Sequence, residues 1–175
     1  MHAKWTARRL AADAMFAAMV TVLAAAAIKT GNLKITIEAM PVFLGALMLG
    51  PVDGLAIGGI GTLLYQMLSY GFTATTALWI IPYMVCGLFV GLCARIKRFD
   101  LTNRQLMVIV VIGELLVTFF NTIALYVDSH VYGYYHPTII TGVLGLRLVI
   151  CVVKAMAYSV ILPSLLKPIR KTLSR

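Results

Sequence analysis

Acidic residues are scarce in this chain: six Asp and Glu stand against fifteen Lys and Arg. Charged residues together make up only 12%, where a soluble domain carries roughly 25%. That shortage excludes an ordinary water-soluble fold. Cysteine is rare too. Cys86, Cys93 and Cys151 all fall in apolar segments, with neither a disulfide framework nor a metal-ligand spacing. There is no Walker A sequence, no arguable Ser-His-Asp order, no pair of catalytic carboxylates and no metal motif. His130 and His136 lack a convincing metal spacing, and His2 has no evident partner. We therefore expect no enzyme and no cofactor within the chain. Linkers, low-complexity runs and repeats are missing as well, which makes residues 1–175 a single domain.

What the chain has is apolar length. Hydrophobic residues make up 61%, and mean hydropathy is +0.95. Six apolar segments can be read: Leu10–Ile28, Ala39–Leu49, Val52–Leu68, Ala77–Ala94, Gln105–Val127 and Ile139–Leu162. A span needs ~20 residues, so six of them use most of the chain. The second is short, and part of the preceding Ile35–Glu38 stretch should join it at membrane depth. The expectation is an all-α integral membrane protein with six transmembrane helices. Pro163 and Pro168 should limit the last helix, and Pro82 should kink the fourth.

The basic residues sort by membrane side. With a cytoplasmic N-terminus, eleven Lys and Arg fall inside, two outside (Lys29 and Lys34) and two, Arg147 and Lys154, within the last segment. Positive loops stay cytoplasmic, so both termini should be inside. The basic start and alanine-rich run of the first helix resemble a signal peptide, but its small residues have a better use as a packing surface. The net charge of +9 does not suggest nucleic acid. The basic residues cap helix ends and form no stripe with stacking aromatics; they suit lipid headgroups instead.

Ionisable groups at bilayer depth are costly and are kept for pairing or for function. Helix 5 carries Glu114 and Asn121, and helix 6 carries Arg147 and Lys154. Each pair is seven residues apart, hence on one helix face. The helices run in opposite directions, so Glu114 should meet Lys154 and Asn121 should lie nearer Arg147. Glu114–Lys154 would serve either as a lock between helices or as part of a ligand site. Arg147 has no evident acid at its depth, Glu38 and Asp128 at the outer ends being the possible exceptions. A planar guanidinium in a polar pocket is a good carboxylate site. Tyr65 and Gln66 on helix 3, and Trp79 and Tyr83 on helix 4, suit either an aromatic belt at the interface or a stacking wall for a flat ring. Tyr132, Tyr134 and Tyr135 could form a lid. On helix 1, Ala7/Ala11 and Ala14/Ala18 make small-xxx-small pairs, and Ala17, Thr21 and Ala25 make a second stripe. These suit internal packing or close docking of another membrane helix.

Several segments resemble the substrate-binding (S) components of energy-coupling factor (ECF) vitamin transporters. They are Ile37–Gly61, Phe72–Leu92, Phe119–Val127 and the Arg147–Lys154 stretch, with the Pro41, Gly45, Gly50, Pro51, Gly54 turn pattern looking like the folate-type branch. The chain departs from that branch in having no acid from Thr62 to Gln66. The resemblance implies an S-component-like bundle in a bacterial cytoplasmic membrane that binds a vitamin from outside. It implies docking on a transmembrane T-component driven by two ATPase subunits, which hold the ATP and magnesium. Ala14 and Ala18, with Ala17 beside them, would meet the T-component. Loops carrying Asn32, Tyr70, Phe72, Tyr132 and Tyr134 would gate the pocket. The basic pocket favours an anionic vitamin such as folate. Two other readings are a non-transporting scaffold like the cell-shape protein MreD and a small stand-alone dimeric transporter with Glu114 as its titrating group.

Overall fold

The computed structural model describes residues 6–30 and 33–173. Six helices follow in order: α1 (Ala7–Ala25), α2 (Ala39–Leu49), α3 (Pro51–Tyr70), α4 (Thr76–Ile96), α5 (Asn103–Val131) and α6 (Pro137–Leu173). The six expected segments are all helical. One departure from an all-helical chain occurs between α1 and α2. There β1 (Ile28–Thr30) pairs antiparallel with β2 (Leu33–Ile35). Helix α1 therefore stops a turn before the expected Ile28, where a β-branched stretch takes over.

Local chemistry sets the ends. Thr6 caps α1, its hydroxyl accepting from the Arg9 N–H at 3.3 Å. Thr102 and Gln105 form a reciprocal capping box at the start of α5, which satisfies two otherwise orphan donors. Gly50 adopts φ 114° and Pro51 opens α3. Glycine takes that backbone without strain, and proline at N1 gives up no needed N–H. The expected stop at Pro163 does not occur, since α6 continues through both prolines to Leu173. A proline removes one hydrogen bond and crowds one carbonyl. The ladder on either side survives that local loss.

Helix α2 is apolar all round because it is surrounded. Residues from α1, α3, α4 and α6 pack on it, and Val42, Phe43, Ala46 and Leu47 are fully buried. Phe16 and Val20 of α1, Ile57 of α3, Val90 of α4, Val110 of α5 and Leu162 of α6 complete this core. Helices α3 and α4 meet backbone to backbone. A Cβ at Gly54 would come within 2.5 Å of the Gly87 carbonyl. Such contact supplies dispersion where the hydrophobic effect between lipid-facing helices is absent.

Among the described residues, three helical stretches are long and apolar enough to cross a membrane: Thr76–Ile96, Asn103–Val131 and Leu144–Leu166. Helices α5 and α6 leave large apolar side chains such as Val108, Phe119, Val152 and Met156 exposed. A water-facing surface of this kind would aggregate, whereas lipid solvates it.

The end of the bundle holding the α2–α3 turn has its own ion pair. Arg9 Nε donates to Asp53 Oδ1 at 2.7 Å, its second fork nitrogen bonds Asp53 Oδ2, and the same nitrogen donates to the Leu49 carbonyl at 2.9 Å. Arg9 thus stitches α1 to the last turn of α2 and the first of α3. Its expected role as a flanking topology charge is incomplete. Asp13, one turn further along α1, is buried beside Asp53, and neither of its carboxylate oxygens accepts a hydrogen bond.

Candidate functional site

The other end of the bundle opens into a cavity of about 510 Å³. Its wall is assembled from the C-terminal part of α3, the N-terminal half of α4, the second half of α5 and the middle of α6. Thr36 and Glu38, between β2 and α2, close one side. Of the Ile35–Glu38 stretch, Thr36 and Glu38 turn inward while Ile35 and Ile37 stay exposed.

Helix α6 supplies both cations. Arg147 is half-buried in the cavity wall and donates to Thr122 Oγ1 at 3.3 Å. Among the described residues no carboxylate forms an ion pair with it, although all six acidic side chains are described. Two turns on, Lys154 Nζ stands 2.9 Å from Glu114 Oε2. The seven-residue spacing on antiparallel helices foretold this pair. The contact is ionic rather than well aligned, since neither Glu114 oxygen accepts a hydrogen bond of normal geometry. Lys154 lines the cavity, while Glu114 lies behind it, wholly buried. The Lys154 ammonium also faces the Tyr158 ring at 5.7 Å.

The acids of the cavity are occupied by neutral donors. Tyr83 donates to Glu38 from the buried wall. Asp128 accepts from Thr75, from Trp79 Nε1 at 3.3 Å and from Tyr134. One carboxylate therefore ties together the loop before α4, α4 itself, α5 and the α5–α6 connection. Partial burial and the Asp128 carboxylate both push the Tyr134 hydroxyl above its ordinary range. Tyr134 accordingly stays protonated as a donor at neutral pH.

Sequence reasoning brought most of the wall together. Tyr65, Gln66, Trp79, Tyr83, Asn121, Arg147 and Lys154 share this one cavity, as do Tyr70 at the end of α3 and Tyr132 and Tyr134 from the α5–α6 connection. Trp79 and Tyr83 form part of the wall as well as being spaced like a belt. Three residues fall elsewhere. Phe72 is 82% exposed and does not line the cavity, because Gly71 at φ 73° turns the chain away at the end of α3. Tyr135 packs on the rings of His130 and Tyr126 instead. Glu114 backs the wall without lining it. Asn32 lies outside the described residues.

On α1, Ala14 and Ala18 sit on the exposed face. Ala17 does not share that face. It is 3% exposed, and its carbonyl lies where a Cβ on Gly61 of α3 would fall. Thr21 joins the same inward stripe, donating to the Gly61 carbonyl at 2.9 Å. Ala17 and Thr21 thus pack inward, while Ala25, the third member of that stripe, is exposed like Ala14 and Ala18.

Thr62, Thr75 and the binding of Asp53 by Arg9 were not expected from the sequence. Thr62 carries a small polar group on the same face as Gln66, one turn earlier, and that spacing was the available signal. For Asp53 the signal was an acid inside an apolar segment, the same cue that exposed Glu114.

No curated protein matches the chain in sequence. The model of the ECF transporter substrate-specific component family matches residues 8–166, from the first turn of α1 to Leu166 of α6. That match takes in every helix that builds the cavity, and with it the chain belongs to the substrate-specific components of ECF transporters, a family of membrane-embedded substrate-binding subunits.

Proposed function

We propose that the chain is the high-affinity vitamin-binding subunit of an ECF-type importer, and that its substrate is an anionic vitamin such as folate or a related compound. The observation that carries this is Arg147, a guanidinium in the wall of a ligand-sized cavity with one weak hydroxyl partner. Pockets of about 300–1,000 Å³ suit small organic ligands. An arginine fork binds a carboxylate through two parallel hydrogen bonds. Lys154 stands behind it with its charge balanced by Glu114, so Arg147 is the cation open to an incoming anion.

All six helices lie in the bacterial cytoplasmic membrane with both termini inside, a reading supported by the eleven-to-two split of basic residues. The cavity then faces outward, since it lies at the opposite end from the α2–α3 turn and the basic 95–104 loop. ATP hydrolysis belongs to two separate ATPase subunits, coupled through a transmembrane T-component. The exposed Ala14–Ala18 face supports docking there, because small residues let helices approach closely in lipid.

Calorimetric titration of purified Arg147→Ala with folic acid tests the reading. Loss of one partner from a buried charged hydrogen-bonded pair costs ~2–5 kcal/mol, so binding should weaken at least ~30-fold while the melting temperature holds. Arg147→Lys should recover only part, as an ammonium lacks the fork. Unchanged affinity in a folded Arg147→Ala protein would remove Arg147 from the site.

A further inference from the structure

The two cations of the cavity both come from α6, whereas α3 contributes only uncharged side chains. Among these, Thr62 and Gln66 lie one helical turn apart and are 2% and 8% exposed. Thr62 Oγ1 has no hydrogen-bond partner, and the Gln66 amide makes no hydrogen bond among the described residues. Buried polar groups are otherwise almost always paired. Thr62 Oγ1 is such an unpaired group, and the Gln66 amide beside it lines the cavity without a partner among the described residues, so a guest that enters the cavity can answer both.

The chemistry of the pair restricts that partner. A primary amide presents N–H donors beside a carbonyl acceptor, and a hydroxyl both donates and accepts. Another amide-type edge answers it with two parallel hydrogen bonds. A carboxylate placed here would meet no cation on α3. An apolar surface would displace water and leave both groups unpaired. The neighbouring Tyr65, Tyr83 and Trp79 supply ring faces suited to a flat group.

We propose that Thr62 and Gln66 are a specificity-determining pair, reading an uncharged amide-type edge (a ring C=O beside a ring N–H) on an organic anion whose carboxylate goes to Arg147. This deepens the importer-subunit reading and rests on it. Specificity follows from unpaired groups: a site built to hydrogen-bond its substrate rejects an analogue lacking the partner by up to ~10⁴–10⁵-fold.

The test uses the full chain purified as wild type, Gln66→Leu, Gln66→Glu, Thr62→Val and Thr62→Ser. Each is titrated with folic acid, which has the ring edge and carboxylates, and with p-aminobenzoylglutamate, which keeps the carboxylates and lacks the fused heterocycle that carries that edge. Small molecules retained by the wild type are extracted and identified by mass spectrometry. Gln66→Leu and Thr62→Val should each weaken folic acid about tenfold or more, while p-aminobenzoylglutamate changes less than about threefold. Gln66→Glu should lose folic acid as well, because it adds a charge and removes donors. Thr62→Ser should recover most of the Thr62→Val loss. If the retained compound is another bearing such an edge, it replaces folic acid in the same comparison. Equal loss for both probes, no loss for either, or a retained compound without an amide-type edge overturns this inference alone. A wild type that binds neither probe and retains nothing overturns it together with the importer-subunit reading.

Discussion

Arg9 and Arg147 are the same side chain at opposite ends of one bundle. Arg9 is held by both oxygens of a fully buried carboxylate and by a helix-terminal carbonyl. Arg147 donates to one threonine hydroxyl at 3.3 Å. A desolvated guanidinium is costly unless paired, so Arg9 is saturated, although its neighbour Asp13 is not, while Arg147 keeps unused binding capacity. The contrast extends beyond arginine. At the base, Leu49 and Asp53 close the α2–α3 turn around Arg9. At the cavity end, Thr62 and Gln66 are left unpaired. The Arg9 anchor is complete in itself, whereas Arg147, Thr62 and Gln66 keep groups to offer.

The largest expected effect is at the base. Asp53→Ala leaves the part-buried Arg9 without its partner, and removing one member of such a charged, hydrogen-bonded pair costs ~2–5 kcal/mol. A marked drop in melting temperature in detergent, with little protein recovered folded, is the expected outcome. A variant that melts like wild type would erase the distinction between a structural and a receptive end. Lys154→Ala comes next. It strands Glu114 in the core, and we expect a loss of ~1.5–3 kcal/mol, since the existing contact is poorly aligned. Double substitution with Glu114→Gln should restore part of it, and the absence of any rescue in a thermal-melt cycle would argue against the pair. Tyr134→Phe should cost only ~0.5–1.5 kcal/mol by releasing one donor from Asp128. Its readout is a several-fold faster release of bound folic acid in stopped-flow fluorescence. Ala14→Trp should disturb the fold least, because the site faces outward. Binding should persist while uptake in cells is lost, and normal uptake would disqualify this face as the coupling surface.

The sequence disclosed the fold through apolar length and turn residues, and the cavity through ionisable groups in the wrong solvent. Glu114, Arg147 and Lys154 stand out against an apolar background, and seven-residue spacing aligns them. Tyr83 with Glu38, and Thr75 with Asp128, were not legible, because a hydroxyl in an apolar helix is commonplace and its partner sits on another element. The base pair was hidden for another reason. Arg9 falls where a flanking charge is expected, which supplies an adequate account before any partner is sought. The alanines show the limit of periodicity. Ala14 and Ala17 are three residues apart, yet α3 covers one and leaves the other bare, a difference set by where Gly61 happens to fall.

The glycine seam between α3 and α4 has a mechanical meaning. Where Gly54 and Gly87 touch through their backbones, and Gly58 rests on the Tyr83 carbonyl, there are no rotamers to rearrange and no slack to take up. Two helices joined in this way behave as a single stiff panel. If the cavity changes shape as a guest enters or leaves, the compliance lies outside that panel, in α5, α6 and the connections that complete the wall. The panel carrying Thr62, Gln66, Trp79 and Tyr83 would then act as a fixed template against which the moving side registers fit.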